Sequence, residues 1–380
     1  MQVPSPLRRS RCGFTVLELL VAAVITAVLG GFLVVIISNV SSTWTRTSGR
    51  LSADAQARSV LDQLAMDLQG AMFRDDGNVW LAASVLDTTA NSGLWQPAFR
   101  NPKPAGAPLS LAMTAPNLAD ARYGHAGVWL RFFTTRRGVN SATNATTTLA
   151  TTSAPVAVSY QLVRRYTATN PANTTSQAYL LHRSEVRPAA LVAGATSRPG
   201  VLESGYNITG AAYTTANVAT NNASVAGDPR TIRTPGTATG TRNLDSVIAD
   251  NVIDFGIRCY VRDPASPGGL RLIFPATAAG VLSNNATTSR ILASLPPGLP
   301  TTDPNFSALY NQVFPDVVDV MIRILSEDGA RLIDNMEKNQ TPAPTAPVKY
   351  NSNAQQWWWG VAQENSRVYT RRILLNAKPL

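Results

Sequence analysis

The sequence predicts an α+β protein in which a long N-terminal hydrophobic helix packs on a mostly antiparallel β-sheet. Residues 14–37 form an apolar run, and apolar residues recur at helical spacing within residues 52–73. Segments with alternating apolar and polar residues follow, as at 252–262 and 317–325. A long helix followed by strands is typical of α+β proteins, whereas α/β proteins alternate the two.

The first apolar run is long enough to cross a membrane. It extends from Phe14 to Ile37, which is 24 residues, and Glu18 is its only charged residue. At about 1.5 Å per residue such a helix is about 36 Å long, which exceeds a hydrocarbon core about 30 Å thick. Three arginines lie between residues 8 and 11, and no further Lys or Arg occurs before Arg46. This charge bias predicts a cytoplasmic N-terminus, with the rest of the chain across the membrane.

Glu18 is the unusual residue of this helix. A carboxylate within a membrane span is costly unless it has a partner. The uncut sequence supplies no positive charge at the same depth, but cleavage after Gly13 would create a free amine on Phe14, four residues from Glu18. That amine could pair with Glu18 of the same chain or of a neighbouring helix.

Together, the basic leader, Gly13, Phe14, Glu18 and the apolar run resemble the N-terminus of type IV prepilins and type II secretion pseudopilins. The resemblance implies that a prepilin peptidase cleaves after Gly13 and methylates the new amine of Phe14. It also implies that Glu18 recruits the subunit into a filament of pilins or pseudopilins at an inner-membrane assembly platform. Three further stretches resemble the large minor pseudopilins of the J type: residues 57–68, 251–255 and 314–320.

Other N-terminal signals fit these residues less well. A Sec signal peptide has an apolar core of about 7–15 residues with a small-residue cleavage site after it, whereas this core is longer and contains an acid. A lipoprotein signal places its cysteine after the apolar run, but Cys12 precedes it. Arg8-Arg9 suggests a twin-arginine address, yet the following residues do not fit one. An ordinary single-pass anchor stays open, although it leaves Glu18 unexplained.

Four parts are expected along the chain. These are a cytoplasmic leader at 1–13 that is removed, a transmembrane and assembly helix at 14–38, an amphipathic helical extension at 39–73, and a periplasmic α+β domain at 74–380. The extension is expected to pack its apolar stripe on the domain, with a weak point in the helix near Gly49.

Within the domain, strands are expected at 127–133, 156–165, 178–187, 252–262, 317–325 and 366–375. The second and third of these are expected to pair as neighbours. Asp328-Gly329 is expected to turn the chain into a hairpin, and residues 355–365 to form a short helix. Residues 79–125 are expected to be irregular, with Trp80 and Trp95 as packing anchors.

Two long stretches, 139–155 and 192–242, are rich in Thr, Ala, Asn and Gly. Such stretches bury little apolar surface, so they predict long surface loops.

The formal charge of the chain is +10, and it falls to +7 if the leader with its three arginines is removed. Because basic residues are scattered, with never more than two arginines together, nucleic-acid binding is disfavoured.

The two cysteines are Cys12 and Cys259, so removal of the leader would leave no intrachain disulfide. Cys259 shares a face with the apolar residues of its predicted strand and is expected in the sheet core. The only histidines are His125 and His182, which are too few for a zinc site, and no phosphate loop or hydrolase elbow occurs. The sequence therefore predicts neither an enzyme nor a cofactor.

Four acids leave a structural calcium site open as an alternative: Asp316, Asp319, Glu327 and Asp328. Three consecutive tryptophans, Trp357, Trp358 and Trp359, cannot all face one way on a short helix. Core packing of one or two of them is the favoured interpretation, and a sugar-stacking or partner-binding platform is the alternative.

The predicted function is that of a minor pseudopilin in a type II secretion system, within a periplasmic pseudopilus or at its tip. One alternative is a minor pilin of a type IV pilus or DNA-uptake system. Another, from a different class, is a membrane-anchored binding module that does not polymerise and uses the three tryptophans to bind a ligand.

Overall fold

The structure is a computed structural model, and it describes residues 15–85, 115–124, 127–135, 156–166, 177–186, 208, 247–283, 290–298, 302–338, 349 and 354–375. The chain divides into two compact units, Met1–Ser52 and Ala53–Leu380. The first unit contains most of the apolar N-terminal helix, and the second contains the sheets.

Helix α1, Val16–Gln69, is a single helix of 54 residues. Helix α1 runs through Gly49 without a break, so the expected weak point does not interrupt it. An isolated glycine costs a helix only about 1 kcal/mol relative to alanine, which 53 other helical residues easily offset. The helix ends at Gln69 rather than at Phe73. The next residue, Gly70, lies against Thr134: a Cβ on Gly70 would be 2.7 Å from Oγ1 of Thr134.

Ten strands follow α1 in the described part of the chain, and most of them lie where the sequence pattern predicts. They are β1 Leu81–Val85, β2 Val128–Thr134, β3 Val156–Tyr166, β4 Gln177–Val186, β5 Val247–Asp250, β6 Val252–Arg262, β7 Leu270–Phe274, β8 Arg290–Ala293, β9 Val317–Leu325 and β10 Ser366–Leu374. The predicted pairing of β3 with β4 is confirmed. The sequence pattern did not reveal β1, β5, β7 and β8, which have four or five residues each. Strand β1 corrects the expectation that residues 79–125 are irregular throughout.

The strands form two antiparallel sheets. One has six strands in the order β5-β4-β3-β2-β1-β8, and the other has four in the order β10-β9-β6-β7. The C-terminal strand β10 is an edge strand, paired along its whole length with β9. The predicted α+β fold, with a long N-terminal helix and antiparallel sheets, is therefore confirmed.

The C-terminal part of α1 packs on the sheets through one face. Its buried residues recur every three or four positions: Ala53, Ala57, Val60, Leu61, Leu64, Ala65 and Leu68. They share one hydrophobic core with inward-facing residues of both sheets, for example Phe132, Phe255 and Ile322. Cys259 also lies in this core and is fully buried, as expected. Burial raises the pKa of its thiol, which makes it a small apolar residue rather than a reactive group.

The expected hairpin after β9 is wrong, because residues Glu327–Lys338 form helix α3 (α2 is the single turn Phe306–Leu309). Ser326 is placed to start the helix: the N–H of Gly329 donates a hydrogen bond of 3.1 Å to Oγ of Ser326. Acids in the first turn favour the same end through the helix dipole. The predicted C-terminal helix is confirmed as α4, Ala354–Glu364.

Candidate functional site

The N-terminal half of α1 is the candidate site, because it is apolar and unpacked. The segment Val16–Ser41 is long and apolar enough to cross a membrane, and its residues are exposed in the described part of the chain. Its large apolar side chains are exposed, among them Leu19, Leu29, Phe32 and Ile36. Such an extent of exposed apolar surface fits a lipid environment or a bundle of similar helices. The finding fits a single-pass, membrane-anchored protein.

Glu18 lies in the first turn of this helix, where Thr15 immediately precedes the first helical residue. The backbone N–H of Thr15 donates a hydrogen bond of 2.9 Å to Oε2 of Glu18, and the Thr15 hydroxyl donates another of 3.1 Å. In return, the N–H of Glu18 donates a hydrogen bond of 3.2 Å to Oγ1 of Thr15. This reciprocal pair is a capping box, which satisfies backbone donors that a helix start otherwise leaves unpaired.

Thr15 is the residue that sequence reasoning missed. The spacing Thr15-x-x-Glu18 directly before an apolar run is the sequence signature of a capping box, so the signal was present. Gly13 and Phe14, the predicted cleavage and methylation residues, lie outside the described residues. The predicted contact between Glu18 and the amine of Phe14 therefore stays a prediction.

The three consecutive tryptophans lie on α4 and do not form a common surface. Trp358 and Trp359 are buried, and they pack with Tyr179, Ile253 and Ile333 in a second, smaller core. The Tyr179 and Trp358 rings meet edge to face with centroids 6.2 Å apart. Only Trp357 is partly exposed. A binding platform made of all three is thus not present, and any partner role of Trp357 stays a prediction.

The four acids considered for calcium are spread along β9 and beyond both of its ends. Asp319 is engaged by Arg372, whose Nε and Nη2 donate hydrogen bonds of 2.7 and 2.8 Å to it. Oδ2 of Asp316 accepts the N–H of Arg262 at 2.8 Å. Glu327 pairs with Arg331 one turn along α3. Within the described ranges, no group of three or more His, Cys, Asp or Glu is placed to hold a metal ion.

Of the two histidines, His182 is fully buried in β4, and His125 lies outside the described residues.

The C-terminal half of α1 carries polar contacts that join the helix to the sheets. Asp67 accepts a hydrogen bond from Tyr160 in β3 at 2.5 Å and one from Nε of Arg183 in β4 at 2.7 Å. Asp62 pairs with Arg371 of β10. These contacts join the C-terminal half of α1 to strands of both sheets.

A further buried polar group lies on β6. Oδ2 of Asp254 accepts the N–H of Tyr123 at 3.0 Å, and the hydroxyl of Tyr123 donates to the carbonyl of Ile257 at 2.8 Å. Nearby, Arg258 donates hydrogen bonds of 2.6 Å to the carbonyls of Ala115 and Pro116. Burial raises the pKa of Asp254 to about 7. The cluster fixes residues 115–123 on the sheet and has no reactive arrangement.

A family model matches the N-terminal stretch of the chain that contains the candidate site. Residues 8–34 match the family model described as the prokaryotic N-terminal methylation motif. The match covers the arginines of the leader, Gly13, Phe14, Thr15, Glu18 and most of the apolar segment. No match was found among curated proteins or solved structures. The motif supports membership of the prepilin-like superfamily of pilins and pseudopilins.

Proposed function

We propose that the chain is a minor pseudopilin of a type II secretion system, assembled into a periplasmic pseudopilus or at its tip. The observation that carries the proposal is the coincidence of two findings on one segment. Residues 8–34 match the N-terminal methylation motif, and Val16–Ser41, which overlaps this match, forms an exposed apolar helix long enough to cross a membrane. The three stretches that resemble J-type subunits support this subtype.

In this proposal the leader at 1–13 is cytoplasmic and is removed by a prepilin peptidase. The peptidase cleaves after Gly13 and methylates the amine of Phe14. Residues 14–38 serve as membrane and assembly helix, 39–73 as its extension, and 74–380 as the periplasmic domain. The arginines before the apolar run support this orientation, because positive charge favours the cytoplasmic side.

Assembly transfers the apolar helix from lipid into a bundle of like helices at an inner-membrane platform. The charge of Glu18 pairs there with the amine of Phe14, in its own chain or in a neighbour. Until then, the two hydrogen bonds donated by Thr15 hold the carboxylate at the helix start. Because an unpaired buried charge is costly, the pair would penalise a wrong stagger between subunits.

N-terminal mass spectrometry of the purified protein tests the processing step. We expect the chain to begin at a methylated Phe14. Gly13→Val should block cleavage and leave a precursor that is heavier by the leader, whereas Cys12→Ser, one residue away, should be processed normally. A purified wild-type chain that still begins at Met1 would refute the proposal.

Replacement of the acid tests the assembly step. We expect Glu18→Val to be processed and inserted into the membrane but not to enter filaments, because it lacks the charge that pairs with the new amine. The measurement is the fraction of protein that co-purifies with assembled filaments. Normal incorporation of Glu18→Val would exclude a pairing role for Glu18.

Two alternatives lead to different results. A minor pilin of a type IV pilus or DNA-uptake system would be processed in the same way, but its deletion would impair pili or DNA uptake rather than protein secretion. A non-polymerising binding module would keep an intact N-terminus and would function with residues 1–50 replaced by another anchor. The partly exposed Trp357 is the residue that favours the second alternative.

A further inference from the structure

Trp44 follows the apolar segment of α1 by three residues and has a largely exposed side chain. The segment ends at Ser41, α1 continues without a break, and the Trp44 side chain is 76% exposed. Tryptophan combines a large apolar ring with one N–H donor, and such side chains concentrate at membrane–water boundaries. The position of Trp44 directly after the apolar segment suits that boundary.

The spacing between Trp44 and Glu18 agrees with the thickness of a bilayer. They are 26 positions apart on a continuous helix, which is about 39 Å at 1.5 Å per residue. At a tilt of about 20° this length projects to about 37 Å across the membrane. A hydrocarbon core of about 30 Å lies within about 40–45 Å of total bilayer. Both residues can therefore lie in headgroup layers, on opposite sides.

The polar side chains around Trp44 are compatible with this environment. The hydroxyl of Thr43 donates a hydrogen bond of 2.8 Å to the carbonyl of Asn39, and that of Thr47 donates one of 2.9 Å to the carbonyl of Thr43. Thr26 makes the same type of bond to Ala22 within the apolar segment, at 2.7 Å. Because these hydroxyls are satisfied by the helix itself, the turns around Trp44 tolerate a layer poor in water.

We propose that Trp44 is a lipid-interface anchor that sets the depth of α1 in the bilayer. With Trp44 at the headgroup boundary of one leaflet, Glu18 and its Thr15 cap lie at the boundary of the other leaflet before assembly. A shift of the helix by one turn, about 5.4 Å, towards the Trp44 side would draw Glu18 into hydrocarbon and expose the indole to water. The inference rests on the membrane-anchored state of the proposed function.

Depth-dependent fluorescence quenching tests this placement in the full-length protein. The protein is reconstituted in phosphatidylcholine vesicles whose acyl chains carry bromine either near the headgroup or near the chain end. The emission difference between wild type and Trp44→Phe isolates the signal of Trp44. We expect bromine near the headgroup to quench this signal at least about twofold more strongly than bromine near the chain end.

Trp357→Phe is the matched control, because Trp357 lies on α4 in the second unit, and its difference signal should be the same in brominated and plain vesicles. A Trp44 signal that neither lipid quenches would show water or protein around the indole and would overturn the inference. Stronger quenching near the chain end would also overturn it. Flotation with the vesicles separates the two proposals: a floating protein with unquenched Trp44 refutes only the anchor, whereas failure to float refutes the membrane-anchored state itself.

Discussion

Oε2 of Glu18 accepts two hydrogen bonds from Thr15, one from the backbone N–H at 2.9 Å and one from the hydroxyl at 3.1 Å. Glu18 therefore has two separable properties: it carries a charge, and it caps its own helix. The proposed function needs the charge, whereas the capping box needs only an acceptor oxygen, which glutamine also provides. Amide and apolar replacements can distinguish the two roles.

We predict that Glu18→Gln is processed and inserted like the wild type but fails to enter filaments, as Glu18→Val does. Glutamine keeps the cap and loses the charge that pairs with the amine of Phe14. Thr15→Val is the complementary variant, because it keeps the charge and loses the hydroxyl cap, which is worth about 1 kcal/mol to a helix. We expect its incorporation to fall less than that of Glu18→Gln, and Thr15→Ser to behave as wild type. Normal filament entry of Glu18→Gln would assign Glu18 to capping alone.

We predict that Asp67→Ala lowers the free energy of unfolding by about 2–4 kcal/mol, because it removes the carboxylate that accepts hydrogen bonds from the guanidinium of Arg183 and the hydroxyl of Tyr160 at a site largely removed from water. The side chains of Asp67 and Arg183 are only 12% and 17% exposed. Urea unfolding of the full-length protein in detergent measures the change.

Asp62→Ala is the control for this variant, on the same helix. It also breaks an ion pair, with Arg371, but both side chains are much more exposed. Exposed pairs contribute about 0–1 kcal/mol, so Asp62→Ala should change the unfolding free energy little. Equal losses in the two variants would mean that burial does not control the strength of these contacts.

The buried acid Asp254 predicts a pH dependence of stability. Burial raises its pKa to about 7 from an ordinary value of 3.8, although the N–H of Tyr123 and the charge of Arg323 act in the opposite direction. The folded protein thus keeps a proton that the unfolded chain releases between about pH 4 and 7. The stability contributed by this group is complete below about pH 4 and is lost as the pH rises to about 7.

We expect Asp254→Asn to be less sensitive to pH than the wild type in this window, because the amide resembles the protonated acid and keeps an acceptor for Tyr123. Urea midpoints measured across the window compare the two proteins. If the urea midpoint of Asp254→Asn depends on pH as strongly as that of the wild type, Asp254 is not the source of the pH dependence.

Gly256 is predicted to be intolerant of any side chain. A Cβ at this position would lie 2.1 Å from Cε2 of Tyr123, and hydrogen bonds to Asp254 and Ile257 hold that tyrosine in place. We expect Gly256→Ala to lower the unfolding free energy by about 1–3 kcal/mol through overpacking.

Two further variants test the cause. Gly49→Ala should not destabilise, because nothing lies within 4 Å of the added methyl group. Adding Gly256→Ala to Tyr123→Ala should cost less than Gly256→Ala alone, because the clashing ring is gone. If the losses of unfolding free energy in the two single variants add up in the double variant, the loss in Gly256→Ala does not arise from contact with the Tyr123 ring.

Local patterns in the sequence were sufficient for the long elements. The apolar run of α1, the alternation in β6 and β9, and the burial of Cys259 all follow from periodicities within a single segment. Strands such as β5 and β8, with four residues each, are too short to show a period. Asp328-Gly329 resembles a turn locally, but the Ser326 cap and the burial of Ile333 make it part of a helix.

The sequence by itself determined the apolar segment, its basic flank and the methylation motif, because each depends on residues that are near neighbours in the chain. Only the tertiary structure decided which polar groups meet. Asp67 joins Tyr160 and Arg183 across 93 and 116 residues, and Tyr123 reaches Asp254 across 131. Contacts at such separations depend on how the sheets are ordered around α1, which no local pattern encodes.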